Sequence, residues 1–276
     1  MLSLDRTYDF QGQPVAWGWL DGPDSAPPMV LIHGFPWSAQ AWRRVAPWLA
    51  RQRRVYFFDM AGCGQSGKAD GQDVRPSVQN RLLAELIDHW GLEKPAVVGH
   101  DFGGLAALRG HFVSGIDYGE LYLIDAVSLL PSGSPFFAHA KQHFEAFAET
   151  PGFTHDALFE AFVNFGSLRG LSAETVEMYA QPWRGETGQP AFYRQIQQSG
   201  AEFIQEVQDR YGALPFPVHL IWGEHDDNIP VSQGRALANA LHADSFTRVP
   251  EAAHIVMEDA PEAVVAALLG ARDARG

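Results

Sequence analysis

A mainly parallel α/β sheet with one helical insertion is the fold class this sequence predicts, and three observations carry it. Short apolar runs of strand length alternate with longer helix-like stretches, as in a sheet covered by helices. Several of the runs are continuously apolar, the mark of strands buried on both faces. Between about Val127 and Gly212 the strand rhythm stops, and afterwards it resumes.

Taken in order, Val15 to Leu20 alternates after a Gly-Gln-Pro turn and predicts an opening antiparallel hairpin. Met29-Val30-Leu31-Ile32 is the first run with no polar residue, and Arg54-Val55-Tyr56-Phe57-Phe58 follows the same pattern. Ala96-Val97-Val98 and Leu121-Tyr122-Leu123-Ile124 come next; Val218 to Trp222 and Ser245 to Val249 come late. Counted with the hairpin, these make a mostly parallel eight-stranded sheet with helices on both faces. Ser77 is a candidate N-cap for a helix through Trp90, with Gly91 as its stop. Further helices are expected from Phe102 to about Val113 and from Pro261 to Leu269, the latter with proline in its first turn. The interrupted stretch, punctuated by Pro131, Pro135, Pro151, Pro182 and Pro190, reads as a helical cap. The predicted organisation is a core of residues 1–126 and 213–276, with a cap of residues 127–212 inserted after strand 6.

Bulk properties narrow the function. The chain has 276 residues, 46% hydrophobic and 19% charged, in the range of globular proteins. No window reaches the run of about 18 apolar residues that a membrane span needs. The N-terminus lacks a basic region followed by an apolar stretch, so no signal peptide is expected. Cys63 is the single cysteine and reads as a small thiol in a glycine-rich turn. These features predict a cytoplasmic protein. A formal net charge of −13 argues against nucleic acid and disfavours a polyanionic substrate. The expected partners are a small molecule and water, with no cofactor and no metal.

The chemistry-bearing signal is Val98-Gly99-His100-Asp101-Phe102-Gly103-Gly104, directly after a strand and opening a helix. It fits the pattern Gly-x-nucleophile-x-Gly, in which a sharp turn presents the central side chain above the sheet. A capping aspartate in a glycine-rich turn would look similar. Three further matches stand beside it. His33-Gly34-Phe35-Pro36 ends the third strand, where one oxyanion-hole N–H is supplied; Phe102 would supply the other. Gly223-Glu224-His225-Asp226 ends a late strand, and Pro250-Glu251-Ala252-Ala253-His254 follows the last. Their order is nucleophile, acid, histidine.

From roughly Met29 to Leu269 the chain resembles the α/β-hydrolase superfamily, and its aspartate elbow resembles the epoxide hydrolase and dehalogenase branch. The resemblance implies Asp101 as nucleophile, His254 as base and Asp226 as the residue orienting His254. Asp125, at the end of the sixth strand, is the alternative acid, since some dehalogenases of this branch keep their acid there.

An aspartate at the elbow changes the reaction. A carboxylate of ordinary pKa about 3.9 is ionised near neutral pH and needs no base to deprotonate it. At a saturated carbon it displaces a leaving group and forms a stable ester, which His254 and Asp226 would hydrolyse by activating water. Epoxides, alkyl halides and haloacids suit this chemistry; amides do not. The halide-holding tryptophan and asparagine of haloalkane dehalogenases are replaced by Phe102 and Phe35, and the arginines of haloacetate dehalogenases are missing after Asp101. Ala191-Phe192-Tyr193-Arg194 resembles the cap segment carrying a ring-opening tyrosine of epoxide hydrolases, which makes Tyr193 the expected acid. His143 is its expected companion, and a halide holder under the alternative. Trp37, Trp42, Phe136, Phe137 and Phe165 either line an apolar pocket or are ordinary core; Trp37 and Phe102 are the expected substrate contacts. His139 and His143, four apart, are a weak metal pair.

The expected reaction is therefore opening of a small uncharged epoxide to a diol through an ester on Asp101. Hydrolytic dehalogenation with Trp37 or His143 as halide donor is the alternative, and an esterase or lactonase a further one. A ligand-binding scaffold of the same fold is distinguished from all three by its lack of turnover.

Overall fold

The computed structural model describes residues 1–273. The hairpin of β1 (Arg6–Phe10) and β2 (Gln13–Leu20) lies at one edge of an eight-stranded sheet, where β1 alternates between half-buried and exposed positions. β3 (Met29–Ile32) follows, then the short α1 (Ala46–Leu49), then β4 (Val55–Phe58). Every residue of β3 and β4 is buried, as their unbroken apolar sequences require.

The next helix, α2 (Pro76–His89), corrects one expectation. Its N-cap is Arg75 and its first residue Pro76, so Ser77 already lies inside the helix. Proline, with φ preset and no N–H to leave unpaired, takes the first helical position. Gly91, at φ 64°, follows the helix's end, a conformation glycine adopts without strain. Then come β5 (Ala96–His100), α3 (Phe102–Phe112) and β6 (Glu120–Ile124).

Between β6 and β7 all regular structure is helical. It comprises α4 (Pro135–Gln142), α5 (Phe144–Ala148), α6 (Gly152–Phe165), α7 (Ala173–Ala180), α8 (Gly185–Gln198) and α9 (Ala201–Gln208). The sheet resumes with β7 (Val218–Gly223), α10 (Val231–Leu241) and β8 (Ser245–Val249), and the chain continues through α11 (Val256–Asp259) into α12 (Pro261–Asp273).

The strand order is β1-β2-β4-β3-β5-β6-β7-β8. β2 pairs antiparallel with both β1 and β4, and every pair from β4 onward is parallel. Parallel pairing aligns the C-terminal ends of β3, β5, β6, β7 and β8 along one rim. The inserted helices lie over that rim: the Trp183 indole N–H donates to the Pro36 carbonyl at 2.7 Å. From α8, Arg194 donates to the Ala69 carbonyl (2.8 Å) and Asp70 (3.0 Å), and Gln195 to the Ala61 carbonyl (3.0 Å). The Gln198 side chain accepts from the Val74 N–H at 2.7 Å. One face of α8 thus fastens the insertion to the 61–74 loop. Among the described residues no helix is long and apolar enough to cross a membrane.

Candidate active site

Asp101 stands between β5 and α3 with φ 51° and ψ −121°, a strained backbone for a non-glycine residue. The neighbouring glycines are there for space. A Cβ on Gly99 would lie 2.5 Å from the Gly103 carbonyl oxygen, and one on Gly103 would lie 2.4 Å from the carbonyl oxygen of Ile32. The turn holds the carboxyl group at the rim, 5% exposed, beside the start of α3.

Three strand ends converge on it. From the β3 loop, the Phe35 N–H donates to Asp101 Oδ2 at 2.9 Å. Phe102 is the first residue of α3, so its N–H is among the helix's unpaired donors. From the β8 loop, His254 Nε2 lies 3.5 Å from Asp101 Oδ1. From the β7 loop, Asp226 Oδ2 accepts from His254 Nδ1 at 2.8 Å. The other oxygen of Asp226 accepts from the N–H groups of Asn228 (2.8 Å) and Ile229 (2.9 Å), which fixes the carboxylate's orientation. Burial alone would push the His254 imidazole down. The carboxylates of Asp226 and Asp101 outweigh burial and hold it well above the ordinary histidine value.

Asp125 also reaches this cluster, at the end of β6. Its Oδ1 accepts from the Gly223 N–H at 2.9 Å, while the hydrogen bond to His254 Nδ1 belongs to Asp226. Asp125, Asp226 and His254 each offer a ligand atom within 4.8 Å of the others, the arrangement a cation would need. Hydrogen bonds already occupy Asp226 and His254, and His139 and His143 gain no third ligand of this kind among the described residues.

Two other histidines have fixed roles. His33 Nε2 accepts from the Met60 N–H (2.9 Å), so its Nδ1–H donates to the Gly34 carbonyl (2.7 Å), and burial keeps the ring neutral. His100 Nε2 donates to the His254 carbonyl at 2.9 Å; burial, then the nearby His254, lower its pKa to about 4. Trp37 completes this packing, with its ring 5.3 Å from both His100 and His254.

Above Asp101 lies a small cavity of about 50 Å³. Phe35, Trp37, Phe102, Phe137 and Phe162 form its aromatic walls, with Val127 and Ile229 beside them. The polar side chains lining it, besides Asp101 and His254, are Ser132, Ser134 and Asn228. No lysine, arginine or tyrosine is among the described lining residues.

The two expected insertion acids lie elsewhere. Tyr193 is buried and its hydroxyl sits 3.1 Å from His155 Nδ1. His155 Nε2 lies 3.0 Å from the Trp183 carbonyl, which can only accept, so Nε2 carries the proton and Nδ1 accepts from Tyr193. The phenol is thus spent on His155 rather than aimed at Asp101, and burial raises its pKa to about 12. His143 is exposed at the α4–α5 junction, its ring 4.7 Å from that of His139. Trp42 is core, Phe165 is 55% exposed, and Phe136 packs on Phe147 and Phe162. Sequence reasoning missed Phe162, Ser132, Ser134 and Asn228; only Asn228 carried a signal, two residues past Asp226.

Comparison with known proteins agrees with this fold. Residues 29–267 match the family described as "Alpha/beta hydrolase family". A crystal structure of an alpha/beta hydrolase fold protein from Burkholderia ambifaria matches with a TM-score of 0.94 and 45% identity, covering 98% of each chain. A soluble epoxide hydrolase from Corynebacterium sp. is 36% identical over 111 residues, 40% of this chain and 38% of that protein. A fluoroacetate dehalogenase from Burkholderia sp. is 31% identical over 179 residues, 58% of each. The chain spans between 38% and 65% of the length of the curated relatives it matches first.

Proposed function

As the chain belongs to the alpha/beta hydrolase family, a hydrolase by membership, we propose that it acts on a small uncharged electrophile through an ester on Asp101. The observation carrying this reading is the Asp101 carboxylate, held by the Phe35 N–H beside His254, at the floor of an apolar cavity lined by no described lysine or arginine.

In the first step a carboxylate oxygen of Asp101 attacks a saturated carbon, forming a C–O bond as the bond to the leaving group breaks. In the second, His254 takes a proton from water, and the resulting hydroxide equivalent attacks the carboxyl carbon of the ester. The Phe35 and Phe102 N–H groups receive the developing oxyanion; on collapse the departing alkoxide takes the proton of the new carboxyl group and leaves as the alcohol, which restores the Asp101 carboxylate beside a protonated His254. Esterification prepares this step. It removes one of the two anions that raise the His254 pKa, so the imidazole loses its proton more readily once the ester exists.

The first substrate reading is an epoxide opened to a diol, in line with the resemblance to a soluble epoxide hydrolase. In-line displacement sends the alkoxide away from Asp101 towards the insertion, and it must be protonated there. Ser134 lines the cavity, and its oxygen accepts from the Phe137 N–H, leaving its own O–H to hydrogen-bond the developing alkoxide, which takes its proton from solvent water. Tyr193 would serve only after releasing His155. That commitment favours a second reading, hydrolytic dehalogenation, because a halide leaves as a stable anion and needs donors rather than an acid. A haloacid is disfavoured because no lysine or arginine is among the described lining residues of the cavity.

The deciding experiment is the intact mass of His254→Gln after incubation with epoxides and haloalkanes. A stable gain equal to the whole epoxide supports the first reading, and a gain of the alkyl group without halide supports the second. Asp101→Asn should gain nothing from either. No gain in His254→Gln with any of them overturns the ester on Asp101 for these substrates.

A further inference from the structure

We infer that Asp125 is a positioning residue, held as a neutral carboxylic acid whose proton is donated to Asp226, keeping that carboxylate turned towards His254. The inference concerns the site proposed above, but its test needs no substrate and stands apart from the reaction.

Asp125 is fully buried at the C-terminal end of β6, with φ 41°, a conformation uncommon outside glycine. Two hydrogen bonds hold it there. Its N–H donates to the Ile221 carbonyl (3.2 Å), and its Oδ1 accepts from the Gly223 N–H (2.9 Å). It therefore grips the start of the Gly223-Glu224-His225-Asp226 turn that presents Asp226. Its other oxygen, Oδ2, is buried and receives no hydrogen bond. A carboxylate oxygen left bare in the interior is a costly arrangement; a protonated one is a donor in need of an acceptor.

Charge counting gives the same answer. The titratable groups acting on Asp125 are Asp226 from the β7 loop and His254 from the β8 loop; His100 and Asp101, at the end of β5, face His254 in turn. His100 is neutral, so His254 is the only cation among these described groups, and it is already shared between Asp101 and Asp226. A third buried carboxylate would have no counter-charge. Two carboxyl groups at this separation share a proton more readily than both ionise. Burial first, and the Asp226 charge second, push the Asp125 carboxyl well above the usual carboxylate range.

Asparagine mimics this neutral acid: its amide oxygen can take the Gly223 N–H and its NH2 can donate to Asp226. The test therefore compares wild type with Asp125→Asn by three measurements. Infrared difference spectra at pH 7 should show a protonated-carboxyl stretch that Asp125→Asn removes. The His254 titration midpoint, followed by nitrogen NMR of the ring, should stay in place, because no charge has been removed. The melting temperature of Asp125→Asn should match wild type near pH 4 and exceed it increasingly as pH rises. The sign follows from linkage: a carboxyl with a raised folded pKa contributes stability that is lost as pH rises through that value, and asparagine has no such slope. A wild-type spectrum without the band, a His254 midpoint that falls by about one unit or more, or a stability gap that does not grow with pH would each overturn the inference. So would an Asp125→Asn protein that fails to fold, since the amide reproduces every contact assigned to the neutral acid.

Discussion

At the scale of single residues the site is governed by how few positive charges serve its carboxyl groups. His254 is raised because Asp226 binds one ring nitrogen at 2.8 Å and Asp101 faces the other at 3.5 Å, together overcoming burial. Asp101→Asn removes one anion and copies the neutral ester of the proposed intermediate. The His254 midpoint should then fall by about one unit or more, a shift read by nitrogen NMR of the ring. An unmoved midpoint would mean that Asp226 alone sets it and that esterification does not prepare the base. The same pair has a stability signature. A histidine raised above its unfolded value of about 6.5 contributes stability in full below that pH, and loses it as pH rises through the folded value. Wild type should therefore lose melting temperature on the alkaline side, and Asp101→Asn should lose less. The turn itself is less forgiving. Gly99→Ala drives a Cβ to 2.5 Å from the Gly103 carbonyl oxygen, and the backbone there has no flexible side chain to move aside. A loss of about 3 kcal/mol, read from chemical denaturation, is expected.

At the scale of elements, α8 is the piece on which the insertion turns. Its Arg194, Gln195 and Gln198 hold the 61–74 loop, while its Phe192 packs 4.9 Å from Phe35 at the cavity wall. Asp70 is fully exposed, so its ion pair with Arg194 adds little; the bond from Arg194 to the Ala69 carbonyl is worth about 1 kcal/mol. Arg194→Ala should therefore lower global stability by only about 1 kcal/mol. Local opening is a different quantity, and hydrogen exchange should rise in α8 and the 61–74 loop while β3, β5 and β7 stay protected. Exchange rising evenly across the sheet would show that the clamp is no local unit. Elements also mark where sequence reading succeeds and where it ends. β3 and β4 were legible because strands buried on both faces leave unbroken apolar runs, and the turn at Asp101 because close backbone approaches force glycine at 99 and 103. The insertion resists such reading because its helices carry aromatics on several faces. On α6, Phe162 lines the cavity and Phe165 is exposed, although both are phenylalanines on the same helix. The segment around Tyr193 was visible only through its resemblance to a family segment, and its hydrogen bond to His155, distant in sequence, was not visible at all.

At the scale of the whole molecule, two fields act on an arriving substrate, and they separate experimentally. The formal charge of −13 repels anions from a distance, and the cavity floor carries the Asp101 carboxylate with no lysine or arginine among the described lining residues to offset it. A haloalkanoate should therefore show a kcat/KM at least about tenfold below that of a neutral haloalkane of equal length, or about 1.4 kcal/mol at the transition state. The two contributions respond differently to salt. Raising ionic strength from about 0.01 to 0.15 M shortens the Debye length from about 30 Å to about 8 Å, which screens the surface field but hardly reaches a buried cavity. The gap should narrow with salt by the steering part alone and then level off above zero. Complete closure would place the whole discrimination at the surface. A haloalkanoate turned over as fast as the neutral compound at every salt concentration would mean that the apolar cavity over Asp101 is not where the substrate reacts.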